Sequence, residues 1–319
     1  PETLKITPAI TAEYGTPVTA HEVFRPVAVT TAPDGETIYD FGQNFAGVIR
    51  ISLQGSAGQV ITVRHAEILN PDGTLNTTFL RSAKATAAYT CRDGKQTYSP
   101  RFTYMGFRYA GIKGVKPEDV EVEAVALYSD VAHAGAFHCS NELLNQLQSN
   151  ITWSAKSNFV DIPTDCPQRD ERMGWTGDIN VFAPTALYNF ELSRFLEKWL
   201  RDVKAEQRPG GGIPNTVPVQ GYGFPATMPE MAVDWWGDAC VNVPWALYEA
   251  TGSVDILRTM YPTMQKYVKA CRFWAGFGIG KHRYIWHTPS VLHFGDWVAP
   301  DVPKICLLYT SPSPRDISG

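Results

Sequence analysis

SNELLNQLQSNITWSAKSN, residues 140–158, is where the rhythm of the chain changes. Ser140 stands where a helix N-cap is expected, and Leu143, Leu144, Leu147 and Ile151 recur at the spacing that lines one helix face. Upstream, residues 1–132 read differently. ETIYDFG, GVIRISLQG, GQVITVRHAEIL, ATAAYTC, RFTYMGFRYAGI and VEVEAVALY alternate as strands do. Turn signals separate them: Pro-Asp-Gly, Gly-Ser-Ala-Gly, Asn-Pro-Asp-Gly and Arg-Asp-Gly. Their number and spacing predict an antiparallel β-sandwich over residues 1–132.

Downstream the pattern stays helical. Phe182, Ala186 and Phe190, followed by Phe195, Trp199 and Val203, predict one long helix stopped by Pro209-Gly210-Gly211-Gly212. VPWALYEATG predicts a third helix, and Leu257, Met260, Met264, Val268 and Cys271 a fourth. Trp199, Trp245 and Trp274 lie within these patterns and are expected in the core. A short element also repeats: Trp175 precedes Gly177-Asp178, Trp236 precedes Gly237-Asp238, and Trp297 follows Gly295-Asp296. The recurrence, every ~60 residues, fits stacked helical hairpins that each return a Gly-Asp and a Trp to one rim. A closed toroid of six such hairpins needs about 350 residues, more than this half of the chain supplies. The expected fold is therefore an antiparallel β-sandwich followed by an incomplete (α/α) six-hairpin barrel over residues 133–305.

Composition narrows the chemistry. Of 319 residues, 44% are hydrophobic and 19% charged, a globular balance, and the net charge of -4 offers no footprint for nucleic acid. No apolar run reaches the ~18 residues of a membrane span. The six cysteines form no Cys-x-x-Cys pair and the seven histidines no His-x-x-x-His, so neither a zinc site nor a disulfide framework is indicated. The chain opens PETLKIT without a leader, so its start reads as a cut and localisation stays unassigned. CLLYTSPSPRD, residues 306–316, resembles the conceptual translation of a sequencing adaptor, and residues 306–319 are set aside as a non-native tail.

The chemistry concentrates in DCPQRDERMGWTGD, residues 165–178. Glu171, Trp175 and Asp178 would share a face on a helix, but Gly174 and Gly177 each cost about 1 kcal/mol in a helix interior. A loop leading into a helix near Asp178 is expected instead, the usual place to display reactive groups. In isolation, Arg-Asp-Glu-Arg reads as a solvated ion-pair network. Here four carboxylates (Asp165, Asp170, Glu171, Asp178) crowd two arginines and a tryptophan. Crowded carboxylates raise one another's pKa, whereas an arginine keeps its neighbour ionised, and such contrasts make acid catalysts. Tryptophan faces stack on the C–H side of a sugar ring, while Asp and Arg hold hydroxyls. Nine tryptophans, several beside Gly-Asp pairs, thus point to a sugar pocket.

These residues resemble the bacterial α-L-rhamnosidases of glycoside hydrolase family 78. The likeness runs through DFGQNFAGVIRI, RHAEILNPDGTL, FTYMGFRY, DCPQRDERMGWTGD, WWGDACVNVPWALYE and FGDWVAP, and the fourth of these is the most specific. The resemblance implies cofactor-free hydrolysis of terminal α-L-rhamnosyl linkages, with inversion, in rhamnose-containing glycosides or polysaccharides. It implies Glu171 as general acid, with Asp165, Arg169, Asp170 and Asp178 holding hydroxyls or tuning the acid. Trp175, Trp236 and Trp297 match aromatic positions of the pocket, and Asp238 and Asp296 are further candidates. An inverting enzyme also needs a second carboxylate roughly 6.5–9.5 Å away, and no residue here matches the family's base. The polypeptide as given is thus expected to have little or no activity, apolar helix faces without partners, and aggregation or a poorly ordered end after about residue 250. The rival expectations are a non-catalytic carbohydrate-binding protein, and another glycosidase or a lyase on a helical toroid.

Overall fold

The computed structural model describes residues 12–220 and 235–275. Its first part is one antiparallel sheet: β1 (Val18–Phe24), β2 (Ala28–Thr31), β3 (Thr37–Gly55), β4 (Val60–Ala66), β5 (Thr86–Thr90), β6 (Gly94–Tyr98), β7 (Met105–Lys113) and β8 (Val120–Ser129). The strands run β1-β8-β3-β7-β4-β5, with β2 and β6 also on β3. β3 spans 19 residues and changes neighbours along its length. One edge passes from β2 to β8 and the other from β7 to β6, with a register shift between Asp40 and Phe45. Bulges and changing partners bend a strand, so the sheet curls and closes over its own core in sandwich fashion. Phe41, Phe45, Ile49, Ile51, Ile61, Phe107 and Ile112 fill that core. Gly47 sits where β3 changes partners, and a Cβ there would lie 2.2 Å from the Val125 carbonyl oxygen.

The second part holds α1 (Glu142–Asn158), the short hairpin β9 (Phe159–Val160) and β10 (Ile162–Pro163), then α2 (Thr176–Asn189), α3 (Ser193–Glu206), α4 (Ala239–Thr251) and α5 (Val254–Ala275). The N-cap of α1 is Asn141, one residue past the expected Ser140; its Oδ1 accepts from the Leu143 amide at 3.0 Å. The long helix expected over residues 182–203 is two helices. Phe190 is extended and bridges to His133, and the five-residue step from Phe190 to Phe195 already breaks the helical rhythm. α5 runs from Val254 to Ala275 with Pro262 inside it, and the end of the chain, where poor order was expected, lies outside the described residues.

α4 packs on both α2 and α5, and α3 packs on α4 and α5, so the four helices share one core. α3 is amphipathic. Phe195, Leu196, Trp199, Leu200 and Val203 are buried while Arg194, Lys198 and Arg201 face out. The N-terminal leucines of α1 behave otherwise: Leu143, Leu144 and Leu147 are exposed, and the residues α1 buries are Ala155, Lys156 and Ser157. Trp199 is in the core as expected, but Trp245 is 51% exposed, a correction to its core placement, because Val243, Pro244, Ala246 and Leu247 take the buried positions of α4 around it. The side chain of Trp274 lies outside the described residues. The two parts join through α1: Trp153 packs on Phe24 and Phe45, and buried Lys156 meets Glu22 at 2.8 Å above the rings of Tyr128 and Trp153.

Candidate active site

Residues 164–175 form an irregular loop between β10 and α2, closed on itself by short-range bonds. The Asp165 amide donates to the Met173 carbonyl at 3.0 Å, and the Met173 amide returns to Asp165 Oδ1 at 2.9 Å. The loop's exit is stitched to residues 215–217. The Thr176 amide donates to the Asn215 carbonyl and the Val217 amide to the Gly174 carbonyl, both at 2.8 Å. A Cβ on Gly174 would lie 2.1 Å from the Val217 carbonyl oxygen, so glycine is required by close approach, in a loop as expected. α2 begins at Thr176, with Asp178 in its first turn.

The loop lies at the seam with the sheet domain. Arg172 donates to the Tyr104 carbonyl at 2.7 Å and stacks on the Tyr104 ring. Pro167 sits so close to β7 that a Cβ on Gly106 would come within 2.8 Å of it. From the segment between β4 and β5, Arg81 Nε donates to Asp170 Oδ1 and Arg81 Nη2 to Glu171 Oε2, each at 2.7 Å. Ser82 completes this contact through its amide and its hydroxyl, both donating to Asp170 Oδ2. Within the loop, Arg169 reaches the same Oε2 of Glu171 at 2.8 Å and lies 3.5 Å from Asp165 Oδ2.

Charge and burial separate the carboxyls. Asp170, hydrogen-bonded by Ser82 and paired with Arg81, is held below the usual carboxylate range. Asp165 is raised, chiefly by burial, and its Oδ2 accepts no hydrogen bond among the described residues. Asp178 retains solvent contact by area yet is hemmed in by protein. Its carboxyl is pushed up to about 6, first by lost hydration and then by the negative charge of Asp165, with Glu171 adding to the effect. The expectation that crowded carboxylates raise one another is met at Asp178.

The aromatic groups gather beside the acids. Met173, Trp175 and Trp236 form one buried cluster, so two of the three Gly-Asp elements share a rim. A Cβ on Gly177 would fall 2.6 Å from the Trp236 indole, and one on Gly237 2.4 Å from the Tyr267 ring. These glycines let aromatic rings lie flat against the starts of α2 and α4. Asp238 accepts from the buried Tyr267 hydroxyl at 2.9 Å. Asp296 and Trp297 lie outside the described residues. Asp165, Cys166 and Glu171 bring donor atoms within 4.8 Å of one another. Two guanidiniums already occupy Glu171 Oε2, and burial pushes the Cys166 thiol up to about 12, so the set is poorly suited to a cation. Arg81, Ser82 and Tyr104 escaped sequence reasoning, whereas Arg172 was counted among the loop's two arginines without a role of its own. Tyr104 falls inside a stretch that carries the family likeness, and Arg81 and Ser82 follow shortly after another; that proximity is the one signal available.

Residues 30–128 match the bacterial alpha-L-rhamnosidase concanavalin-like domain, and residues 132–311 the bacterial alpha-L-rhamnosidase 6 hairpin glycosidase domain. A curled sheet domain seated on helical hairpins, with an acidic and aromatic loop at the seam, defines a chain of the six-hairpin glycosidase class. Within that class, the chain belongs to the bacterial α-L-rhamnosidase family. It is 40% identical over 305 residues to an α-L-rhamnosidase of Streptomyces avermitilis, covering 92% of this chain and 28% of that protein. The structure of a Streptomyces avermitilis α-L-rhamnosidase complexed with L-rhamnose superposes with TM-score 0.83 at 39% identity, covering 92% of this chain and 28% of the other. The Aspergillus terreus α-L-rhamnosidase gives TM-score 0.80 at 37% identity, covering 91% and 33%. The chain thus spans less than a third of the length of these relatives.

Proposed function

We propose that this chain supplies the acid half of a centre that hydrolyses terminal α-L-rhamnosyl linkages with inversion, in rhamnose-containing glycosides or polysaccharides. The observation that carries the reading is the fold of residues 165–178, which couples Asp165, Glu171 and Asp178 electrically beside Trp175 and Trp236. Glu171 is the general acid: it protonates the glycosidic oxygen as the anomeric C–O bond breaks. Asp165, whose Oδ2 faces the Arg169 guanidinium at 3.5 Å, and Asp178 accept from sugar hydroxyls, and Arg169 donates to the ring substituents while steadying Glu171. Trp175 and Trp236 wall the pocket, with Trp297, Asp238 and Asp296 placed in the same set by their motifs. The base that activates water on the opposite face is assigned to no residue of this chain, so the polypeptide alone has little or no activity. We place the boundary between the sheet domain and the hairpin domain at residues 132/133.

One observation favours a second assignment, Asp178 as the proton donor, because its carboxyl titrates near 6. The test uses the full-length product of the gene that encodes this chain, assayed on p-nitrophenyl α-L-rhamnoside and on an alkyl α-L-rhamnoside, with proton NMR following the anomer released. Glu171→Gln is expected to lose about 10²- to 10⁴-fold in kcat/KM on the alkyl substrate and far less on the activated one. Release of the retained anomer overturns inversion. A leaving-group-dependent loss in Asp178→Asn but not in Glu171→Gln moves the acid to Asp178. Binding of rhamnose without cleavage favours the carbohydrate-binding alternative.

A further inference from the structure

We infer that Arg81 and Ser82, on the sheet domain, are positioning residues for the Glu171 carboxyl, and that Asp170 is the tether through which they act. The inference rests on the acid role proposed for Glu171. It gives a purpose to the stretch RHAEILNPDGTL, which leads into the strap between β4 and β5.

The strap is a built object. Leu69 bridges to Leu75 across a turn in which the Asn70 amide donates to the Thr74 carbonyl at 2.8 Å and Asp72 caps Thr74. Leu80 is buried, anchoring a single helical turn, Thr78–Leu80. The residue after it, Arg81, has φ 54°, a conformation L-residues with side chains rarely hold without compensation. The compensation is the fork: Nε on Asp170 and Nη2 on Glu171, two adjacent loop carboxylates gripped by one rigid guanidinium. Ser82 takes the other oxygen of Asp170. Both Asp170 oxygens therefore face the strap, and the loop is fixed one residue before the acid.

The magnitudes decide between scaffold and positioning. Arg81 is 44% exposed and Asp170 30%, so as an ion pair across the seam, open to solvent screening, they add little to stability. A guanidinium on the carboxylate of Glu171, whose side chain is only 11% exposed, does something else: it selects the rotamer and the free oxygen. With Arg81 and Arg169 both on Oε2, the proton destined for the leaving group belongs on Oε1. Catalytic groups displaced by about 1 Å lose on the order of 100-fold in rate. The sheet domain thus completes a site whose reacting groups sit on the hairpin domain.

The test again uses the full-length gene product, with Arg81→Met, Arg81→Lys and Glu171→Gln assayed on an alkyl α-L-rhamnoside and on p-nitrophenyl α-L-rhamnoside. A misplaced acid hurts the substrate whose leaving group needs its proton. Arg81→Met is expected to lower kcat on the alkyl substrate on the order of 100-fold and on the nitrophenyl substrate less than about tenfold. KM should hold on both, and Arg81→Lys should restore part of the loss. Equal losses on the two substrates, or none, overturn the inference. If Arg81→Met does not fold, Ser82→Ala, which loosens only the tether, is read by the same criterion. If Glu171→Gln itself shows no dependence on leaving group, the acid reading falls and this inference falls with it, whereas a dependence in Glu171→Gln alone overturns the role of Arg81 and spares the acid.

Discussion

Two apolar stripes in the helical half meet different fates. Under the acid loop, α3 buries Phe195, Leu196, Trp199, Leu200 and Val203 to 1% exposure or less. At the start of α1, Leu143, Leu144 and Leu147 are 80%, 46% and 53% exposed, although their spacing is as regular. Tyr188 and Trp245 are further exposed aromatic residues of the helical half. Periodicity names the apolar face of a helix; whether that face is covered depends on a partner elsewhere. Here the covered stripe is that of α3, which reaches the exit of the acid loop through Trp199 and Val217.

The strongest way to break this contrast is Trp199→Ala. Trp199 is fully buried, and its Nε1 donates to the Val217 carbonyl at 2.9 Å, while the Val217 amide donates to Gly174 in the loop. Truncating a buried Trp costs about 3–5 kcal/mol through lost transfer energy and the cavity left behind, and here it also frees a carbonyl that supports the loop exit. Urea unfolding of the 319-residue chain checks it. A loss below about 1 kcal/mol would mean that the packed side is not what holds the loop in place.

A smaller effect tests the loop itself through pH. Folding raises the Asp178 carboxyl from 3.8 to about 6, so the folded state holds a proton that the unfolded chain has released between those values. The stability this group contributes is complete below pH 3.8 and is lost as pH rises through about 6. Asp178→Asn should therefore flatten the decline in melting temperature over that window and leave the variant more stable than the parent at pH 7. An unchanged pH profile would show that Asp178 is neither stripped of hydration nor crowded by Asp165 and Glu171 in the folded chain.

What could be read in advance divides along the same line. The sheet domain was legible where strands alternate and end in Gly-containing turns. VTAHEVF, AVTT and GKQTY became strands only because β8 and β3 had free edges for them, which short and largely exposed segments do not announce. The two helices α2 and α3 read as one because their stripes align, although the irregular step at Phe190 marked the break. At the site, the residues 165–178 could be picked out because charge, glycine and tryptophan coincide there. Arg81 could not, since its role comes from a sheet-domain strap 88–90 residues away in sequence and from a backbone conformation no local pattern encodes.

The smallest expected effect sharpens the contrast from the open side. Leu147→Ser removes an apolar side chain that is half exposed, so little area returns to water on unfolding and no cavity forms. Serine's lower helix propensity opposes the change by only a few tenths of a kcal/mol, and the net shift in stability should stay within about 0.5 kcal/mol. Its larger consequence lies between molecules. Leu143, Leu144 and Leu147 form a contiguous apolar patch, the kind that drives association, so the variant should scatter less light at a given concentration and temperature. A loss above about 1 kcal/mol would show that the α1 stripe is packed in solution after all. The two stripes would then differ in which segment covers them rather than in whether they are covered.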